Sequence, residues 1–182
     1  MPETTDDPIL LLIRDKATQR RGFDLLVRIY SGKVYDLVRR MLIDHDDSND
    51  VVQEIFLRIW QNLDRFRGES SLFTWIYRIS VNEALAFLRK KQLVNWLRFE
   101  SYEKVLAGRL VADPWFDGDR AEARLQQAIL TLPRRQRLVF ELRYHQQLKY
   151  PEIAAITGTS VGALKASYHH AMEKIEKILK EE

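Results

Sequence analysis

No stretch of this 182-residue chain sustains an apolar–polar alternation with a period of two, whereas helical spacing of apolar residues runs through most of it. A chain patterned this way has no framework for a sheet and is expected to be all-α. Proline and glycine are few, and they punctuate the pattern at Gly68, Gly108, Pro114, Gly118, Pro133 and Gly158. Helices are predicted over 8–19, 21–43, 49–64, 71–92, 121–131, 134–146, 150–157 and 160–180. The interval 93–120 breaks this order, because Val111–Arg120 holds turn residues and acids with no usable period. It reads as a linker, so two small helical domains on a tether are expected.

The sharpest local pattern lies between Lys149 and Tyr168. Pro151 suits the first helical turn, where its missing N–H has no intrahelical partner to lose. Ile153, Ala154 and Ile156 make a small apolar face, and Gly158 supplies the turn. Thr159 or Ser160 can cap a second helix by accepting from its free N–H groups. The spacing is that of a helix-turn-helix, whose second helix enters a DNA major groove. Such helix pairs also serve as plain packing units, so the first half of the chain has to decide.

Composition narrows the classes. The chain is 46% hydrophobic and 30% charged, enough to build cores, and it contains no cysteine. Disulfides, thiolate nucleophiles and Cys-ligated zinc are thereby excluded. No apolar run reaches membrane-spanning length, and the start at Met1–Asp7 is acidic, unlike a signal peptide, so a cytoplasmic protein is expected. The net charge is only +3, but it is unevenly spread. Arg65, Arg67, Arg78, Arg89, Lys90 and Lys91 face only Glu69 and Glu83 within 65–91. Arg134, Arg135, Arg137, Arg143, Lys149 and Lys165 make the last third basic again. Two basic regions suggest two contacts with a polyanion, and solvated helix faces are the plainer alternative. No Gly-rich phosphate loop, His-Glu metal motif or nucleophile elbow is present, so neither an enzyme nor a cofactor, metal or small-molecule substrate is expected.

Two constellations stand in the first half. The acidic run Asp46–Asp50 suits a helix N-terminus, where carboxylates meet the positive end of the dipole. The helix that follows would bury Val52, Ile55, Phe56, Ile59 and Leu63, leaving Gln53, Glu54, Leu57 and Gln61 facing elsewhere. An exposed leucine among polar residues suits a partner surface, though a single one needs no explanation. Next, a polar loop from Phe66 leads into an aromatic helix ending in Arg89–Lys91. Leu72, Trp75, Ile76, Ile79 and Phe87 form its apolar face, and Thr74, Arg78, Asn82 and Arg89 a polar stripe. Aromatic rings beside basic groups suit unstacked bases. Core burial is the simpler reading for Trp75 and Phe87, whereas Phe66 and Phe73 are open to either role.

Asp50–Phe56, then Phe66–Ser71 and Thr74–Asn82, resemble region 2 of the extracytoplasmic-function sigma factors, compact bacterial transcription initiation factors. Leu132–Phe140 with the helix-turn-helix resembles their region 4. The resemblance implies region 2 over 8–92, a linker over 93–120 and region 4 over 121–182. It also implies two partners, core RNA polymerase and promoter DNA, and, as is typical of the family, an anti-sigma factor that is often membrane-associated. Asp50, Gln53, Glu54, Leu57 and Gln61 would meet the clamp helices of the polymerase large subunit. A base flipped from the minus-ten element would enter a pocket of Phe66, Arg67, Ser70, Ser71 and Asn82, with Phe73, Arg78 and Arg89 along the adjoining DNA. Ser160, Ala163, Lys165, Ala166, Ser167, His169 and His170 would face the minus-thirty-five element, and the acidic linker would run into the RNA path.

The chain departs from the family at the recognition helix, where Ser167 and His170 stand at positions often held by arginine. Lys165 is then the main charged contact expected there. His169 and His170 point away from the Val161, Leu164, Tyr168 and Ile175 stripe, either toward DNA or into solvent. They are not read as metal ligands, for want of a placed acidic third ligand, and His45 and His145 read as ordinary loop or surface residues. The alternative to a sigma factor is a helix-turn-helix regulator with a helical sensor or dimerisation domain.

Overall fold

The computed structural model describes residues 6–97, 102–111 and 120–181. The described residues form nine α-helices and two short helical turns joined by short loops, with no strand among them. α1 (Asp6–Arg14) folds back on α2 (Gln19–Leu42). Gly22 of α2 lies so close to α1 that a Cβ there would stand 2.9 Å from the Leu12 Cβ and 3.0 Å from the Ile13 backbone nitrogen. This mid-helix glycine therefore serves close approach, a role its place in the sequence does not announce.

α2 turns sharply into α3 (His45–Asn62) through Ile43, which takes a φ of 65° with its side chain fully buried. Such a φ is strained for a β-branched residue. Asp44 caps α3 by accepting from the Asp47 N–H at 2.8 Å, so the helix starts four residues earlier than the acidic run suggested. The same acids then hold distant elements: Asp47 pairs with Lys91 at 2.9 Å, and Asp44 pairs with Arg109 at 2.9 Å. Val51, Ile55, Ile59 and Leu63 are the buried stripe of this segment. Val52 and Phe56, expected in it, sit at its half-buried edge, because the space between α2 and α3 on that side is open.

A tight turn at Leu63–Arg65 and a loop through Gly68 (φ 76°) lead into α4 (Leu72–Leu97). Ser71 caps α4: its Oγ accepts from the Thr74 N–H at 3.1 Å and donates to the Thr74 Oγ1 at 2.9 Å. Thr74 is therefore buried and leaves the expected polar stripe. α4 runs five residues past its expected end, and α5 (Tyr102–Val111) follows within the interval read as linker. Leu106 and Leu110 of α5 are fully buried, at a spacing of four. Residues 112–119, where the acidic turn-rich stretch falls, lie outside the described residues.

The C-terminal half is α6 (Arg120–Leu130), α7 (Arg134–Phe140), a π-helical turn over Glu141–His145, α8 (Tyr150–Thr157) and α9 (Val161–Glu181). Ala128, Ile129, Leu132, Phe140, Ala171 and Ile175 form its own small core. Arg137 belongs to this packing and not to a basic surface: it is buried, and it donates to the Leu130 carbonyl at 2.6 Å. His145 is also reassigned from loop or surface, since its ring is enclosed between Glu141 (2.7 Å) and Glu122 (3.4 Å). The two halves are packed together, with Val139, Leu142, Ile153 and Ile156 joining the apolar cluster of α2 and α4.

Two stability outcomes follow. Gly22→Ala gains about 0.5–1 kcal/mol of helix propensity, but the overlap with the α1 backbone costs about 1–3 kcal/mol, so urea unfolding should show a net loss. Arg137→Ala strands the Leu130 carbonyl and should cost about 1–3 kcal/mol. If Arg137→Ala instead weakened DNA binding at unchanged stability, its internal role would be refuted.

Candidate polymerase and nucleic-acid interfaces

An open groove of about 770 Å³ lies between α2 and α3. Phe23, Val27, Val52, Phe56, Leu57 and Trp60 line it, with Arg20, Asp24, Ser31 and Gln53 as polar lining. Leu57 is 55% exposed and Trp60 41%, an unusual exposure for side chains of this size. Phe23 packs on Trp60 with ring centroids 5.0 Å apart. Of the residues expected at the polymerase contact, Gln53 and Leu57 line the groove. Asp50, Glu54 and Gln61 are exposed but outside its lining, and Glu54 is held by Arg58 at 3.2 Å. Trp60 was missed, although it stands seven residues after Gln53 and three after Leu57, on the same helix face.

A second concavity, of about 520 Å³ and polar lining, opens where the Leu63–Arg65 turn meets the start of α4. Arg65, Phe66, Arg67, Ser70, Trp75 and Arg78 line it together with Asp64 and Glu69. Phe66 packs on Trp75 at 5.2 Å between centroids, so the aromatic wall has two rings rather than one. Trp75, read from the pattern as core, is only half-buried because its edge opens into this space. Asp64 anchors the turn to the α1–α2 corner, accepting from Lys16 and from Gln19. Those hydrogen bonds, the Lys16 one foremost, hold the Asp64 carboxyl below the usual carboxylate range.

Not every expected pocket residue meets there. Ser71 is occupied as the α4 cap, Phe73 packs on Tyr77 in a tilted arrangement with ring centroids 4.2 Å apart, and Asn82 is exposed one turn beyond Arg78 on the same helix face. Arg89 is exposed near the far end of α4. Arg78 lines the concavity while donating to the Ala155 carbonyl of α8 at 2.7 Å.

The helix-turn-helix forms as its residues dictate. Glu152 accepts from the Lys149 N–H at 2.6 Å, Gly158 takes the left-handed conformation at φ 70°, and the Ser160 Oγ accepts from the Ala163 N–H at 3.3 Å. Leu164, Ala171 and Ile175 face inward. Ser160, Ala163, Lys165, Ala166, His169 and His170 are exposed, and Ser167 is half-buried. The Lys165 ammonium lies 5.9 Å from the centre of the Tyr150 ring, which also carries the Arg143 guanidinium at 5.3 Å. Glu173 contacts both His169 and His170 at 3.3 Å, an acid not anticipated beside them. No grouping suited to a metal ion occurs among the described residues. No helix among them is long and apolar enough to cross a membrane.

Comparison with known proteins bears on what these surfaces serve. Residues 26–94 match the model of sigma-70 region 2 and residues 122–175 that of sigma-70 region 4. The RNA polymerase sigma-H factor of Pseudomonas aeruginosa is 32% identical, across 93% of this chain and 92% of that protein. The ECF RNA polymerase sigma-E factor of Escherichia coli K12 is 33% identical, across 97% of this chain and 95% of its own length. Two solved structures share the fold at 22% identity and a TM-score of 0.72: CnrH in complex with the cytosolic domain of CnrY, covering 98% of this chain and 99% of that one, and the sigma factor RpoE of Bartonella quintana in complex with the anti-sigma factor NepR, covering 88% and 98%. A helix-turn-helix regulator with a helical sensor or dimerisation domain is not favoured, since the first half matches region 2. The chain therefore belongs to the extracytoplasmic-function sigma factors, transcription initiation factors that direct RNA polymerase to promoters.

Proposed function

We propose a division of labour among the three surfaces. The α2–α3 groove seats the clamp helices of core polymerase, with Leu57 and Trp60 as anchors and Asp50, Gln53, Glu54 and Gln61 around them. An exposed leucine and tryptophan flanking a preformed apolar groove carry this reading, because a partner helix with apolar residues three and four apart fits such a groove. Region 2, over 8–92, would also open the minus-ten element. Region 4, over 121–182, would hold the minus-thirty-five element, and the 93–120 segment joins them, its α5 packed and its acidic part entering the RNA path.

Base capture follows from the second concavity. A duplex base must leave its stack before its edge can be read, which costs a few kcal/mol. Stacking against Phe66 and Trp75 offsets that cost, and Ser70 with the loop N–H groups offers partners to the base edge. Arg67, Arg78 and Arg89 neutralise the adjoining phosphates, Phe73 and Ser71 shape the loop, and Asn82 extends the polar track. On α9, Lys165 provides the charged contact, with Ser160, Ala163, Ala166, Ser167, His169 and His170 along the groove. Catalysis belongs to the polymerase, the site of action is the cytoplasm, and an anti-sigma factor restrains the chain, a reading supported by the solved complex of RpoE with the anti-sigma factor NepR.

Paired substitutions separate the roles. Trp60→Ala should weaken binding to core polymerase on the order of 30-fold, the scale of a tryptophan anchor, with thermal stability little changed. Phe66→Ala should leave polymerase binding intact and reduce permanganate-reactive thymines at the minus-ten element on the order of 10-fold, as lost base stacking would. Normal polymerase affinity in the first variant, or normal melting in the second, refutes the corresponding assignment.

A further inference from the structure

We propose that His169, His170 and Glu173 couple the grip of α9 on DNA to protons. On protonation the two imidazoles exchange Glu173 for phosphates, so promoter affinity rises as the solution is made more acidic. The proposal rests on the reading of α9 as the helix that meets the minus-thirty-five element. Both rings stand clear of the C-terminal core, with side chains 70% and 60% exposed, and their centroids are 5.9 Å apart. Counted from Val161, the start of α9, they come about 12–14 Å along the helix axis at 1.5 Å per residue. A major groove is about 12 Å wide. A helix that reads base edges with its first turns therefore brings these two residues to the phosphate wall.

Histidine is the side chain whose ordinary charge change falls near neutral pH, and the chain holds four of them and no cysteine. Two are engaged away from α9. The His45 Nδ1 lies 2.8 Å from the Tyr35 hydroxyl, and the His145 ring is enclosed by Glu141 and Glu122. His169 and His170 are thus the side chains through which a proton changes the charge of the proposed DNA face.

Glu173 sits one turn on and touches both rings, 3.3 Å from the His169 Nε2 and 3.3 Å from the His170 Nδ1. With neutral rings this trio is net negative and repels a phosphate. With both rings protonated it is net positive and attracts one. Its neighbours add fixed charge. On α9, Lys165 stands one turn before His169, and Lys177 one turn after Glu173. Lys174 is turned toward α7, where it donates to Gln136. Of the elements packed on α9, Glu122 of α6 pairs with Arg40, Glu152 of α8 accepts from the Lys149 N–H, and Arg143 of the π turn lies over Tyr150. Arg134 of α7 reaches the Leu88 carbonyl, while Arg124 of α6 and Arg135 of α7 are exposed. Arginine stays protonated throughout, so these groups set the level of the field and the trio sets its response to pH.

The test uses holoenzyme reconstituted from core polymerase and the full chain. The probe is a fluorescent promoter duplex that this holoenzyme selects from a randomised pool, followed by anisotropy over a salt series at about pH 6 and about pH 8. Core polymerase has its own pH response, so each chain is compared with His169→Gln plus His170→Gln on the same core. Relative to that pair, the wild type should gain on the order of fivefold in affinity at the lower pH, the scale of one or two exposed charge contacts. Its salt slope should steepen there by about one to two, since each phosphate neutralised contributes roughly 0.9. His169→Lys plus His170→Lys, charged at both pH values, should bind tightly at both. Glu173→Gln should tighten binding about two- to threefold at the higher pH, by removing a carboxylate that neutral rings do not offset. A wild-type pH profile and salt slope matching the glutamine pair would overturn the proposal. So would a lysine pair, or a Glu173→Gln variant, that binds no more tightly at the higher pH. Lys165→Ala separates the two levels. If it weakens binding while the wild type matches the glutamine pair, the proton link alone fails; if it too leaves affinity and salt slope unchanged, the placement of α9 on DNA fails.

Discussion

A 26-residue helix carries apolar groups around most of its circumference only when it is covered on more than one side, and α4 is such a helix. Leu72, Ile76 and Ala84 are fully buried, and so is Tyr77 on the side that meets Gln146 in the turn before α8. Everything functional is arranged around this burial. The loop that leads into α4 is pinned by the Ser71 cap and by Asp64, which fixes Phe66 over Trp75. The acidic start of α3 holds the far end through Lys91 and reaches α5 through Arg109. The two rings proposed to receive a base are thus held between the pinned loop, which carries Phe66, and α4, which carries Trp75, as a precise pocket requires.

The surfaces proposed for polymerase and for the minus-ten element share one half of the chain without sharing side chains. Leu57 and Trp60 project from the face of α3 next to α2, while Phe66 and Trp75 lie past its C-terminal turn. This separation allows docking and strand capture to be altered independently. It also suits the two proposed roles to different chemistry: the groove has a predominantly hydrophobic lining, and the concavity is polar, basic and aromatic.

Much of this was legible in the sequence where local chemistry decides the structure. Gly158 and Ser160 set the turn and cap of the helix-turn-helix, and Lys165, His169 and His170 reach the surface because their neighbours Leu164 and Ala171 face inward. Gln53 and Leu57 were likewise found on an exposed face. What could not be read depended on tertiary partners. Val52 and Phe56 look like core until the direction of α2 is known, and Trp75 looks like core until the loop folds beside it. Arg137 has the same side chain as a DNA-binding arginine, but the Leu130 carbonyl takes it inward. For His145, Glu141 four residues earlier was a local sign of pairing, while its second carboxylate, Glu122, comes from another helix. The helix at 102–111 was hidden by its weak amphipathic pattern and by the acidic, turn-rich stretch that follows it.

The claim on which the account turns is that the Phe66–Trp75 wall receives a base from the opened strand. Site-specific photo-crosslinking from position 75 in reconstituted holoenzyme tests it directly, on a promoter duplex labelled in either strand. The account predicts a crosslink to the non-template strand within the minus-ten element, present in open complexes and absent when opening is prevented by cold. Crosslinking of equal strength to both strands of the closed duplex, or none while melting proceeds normally, would contradict it.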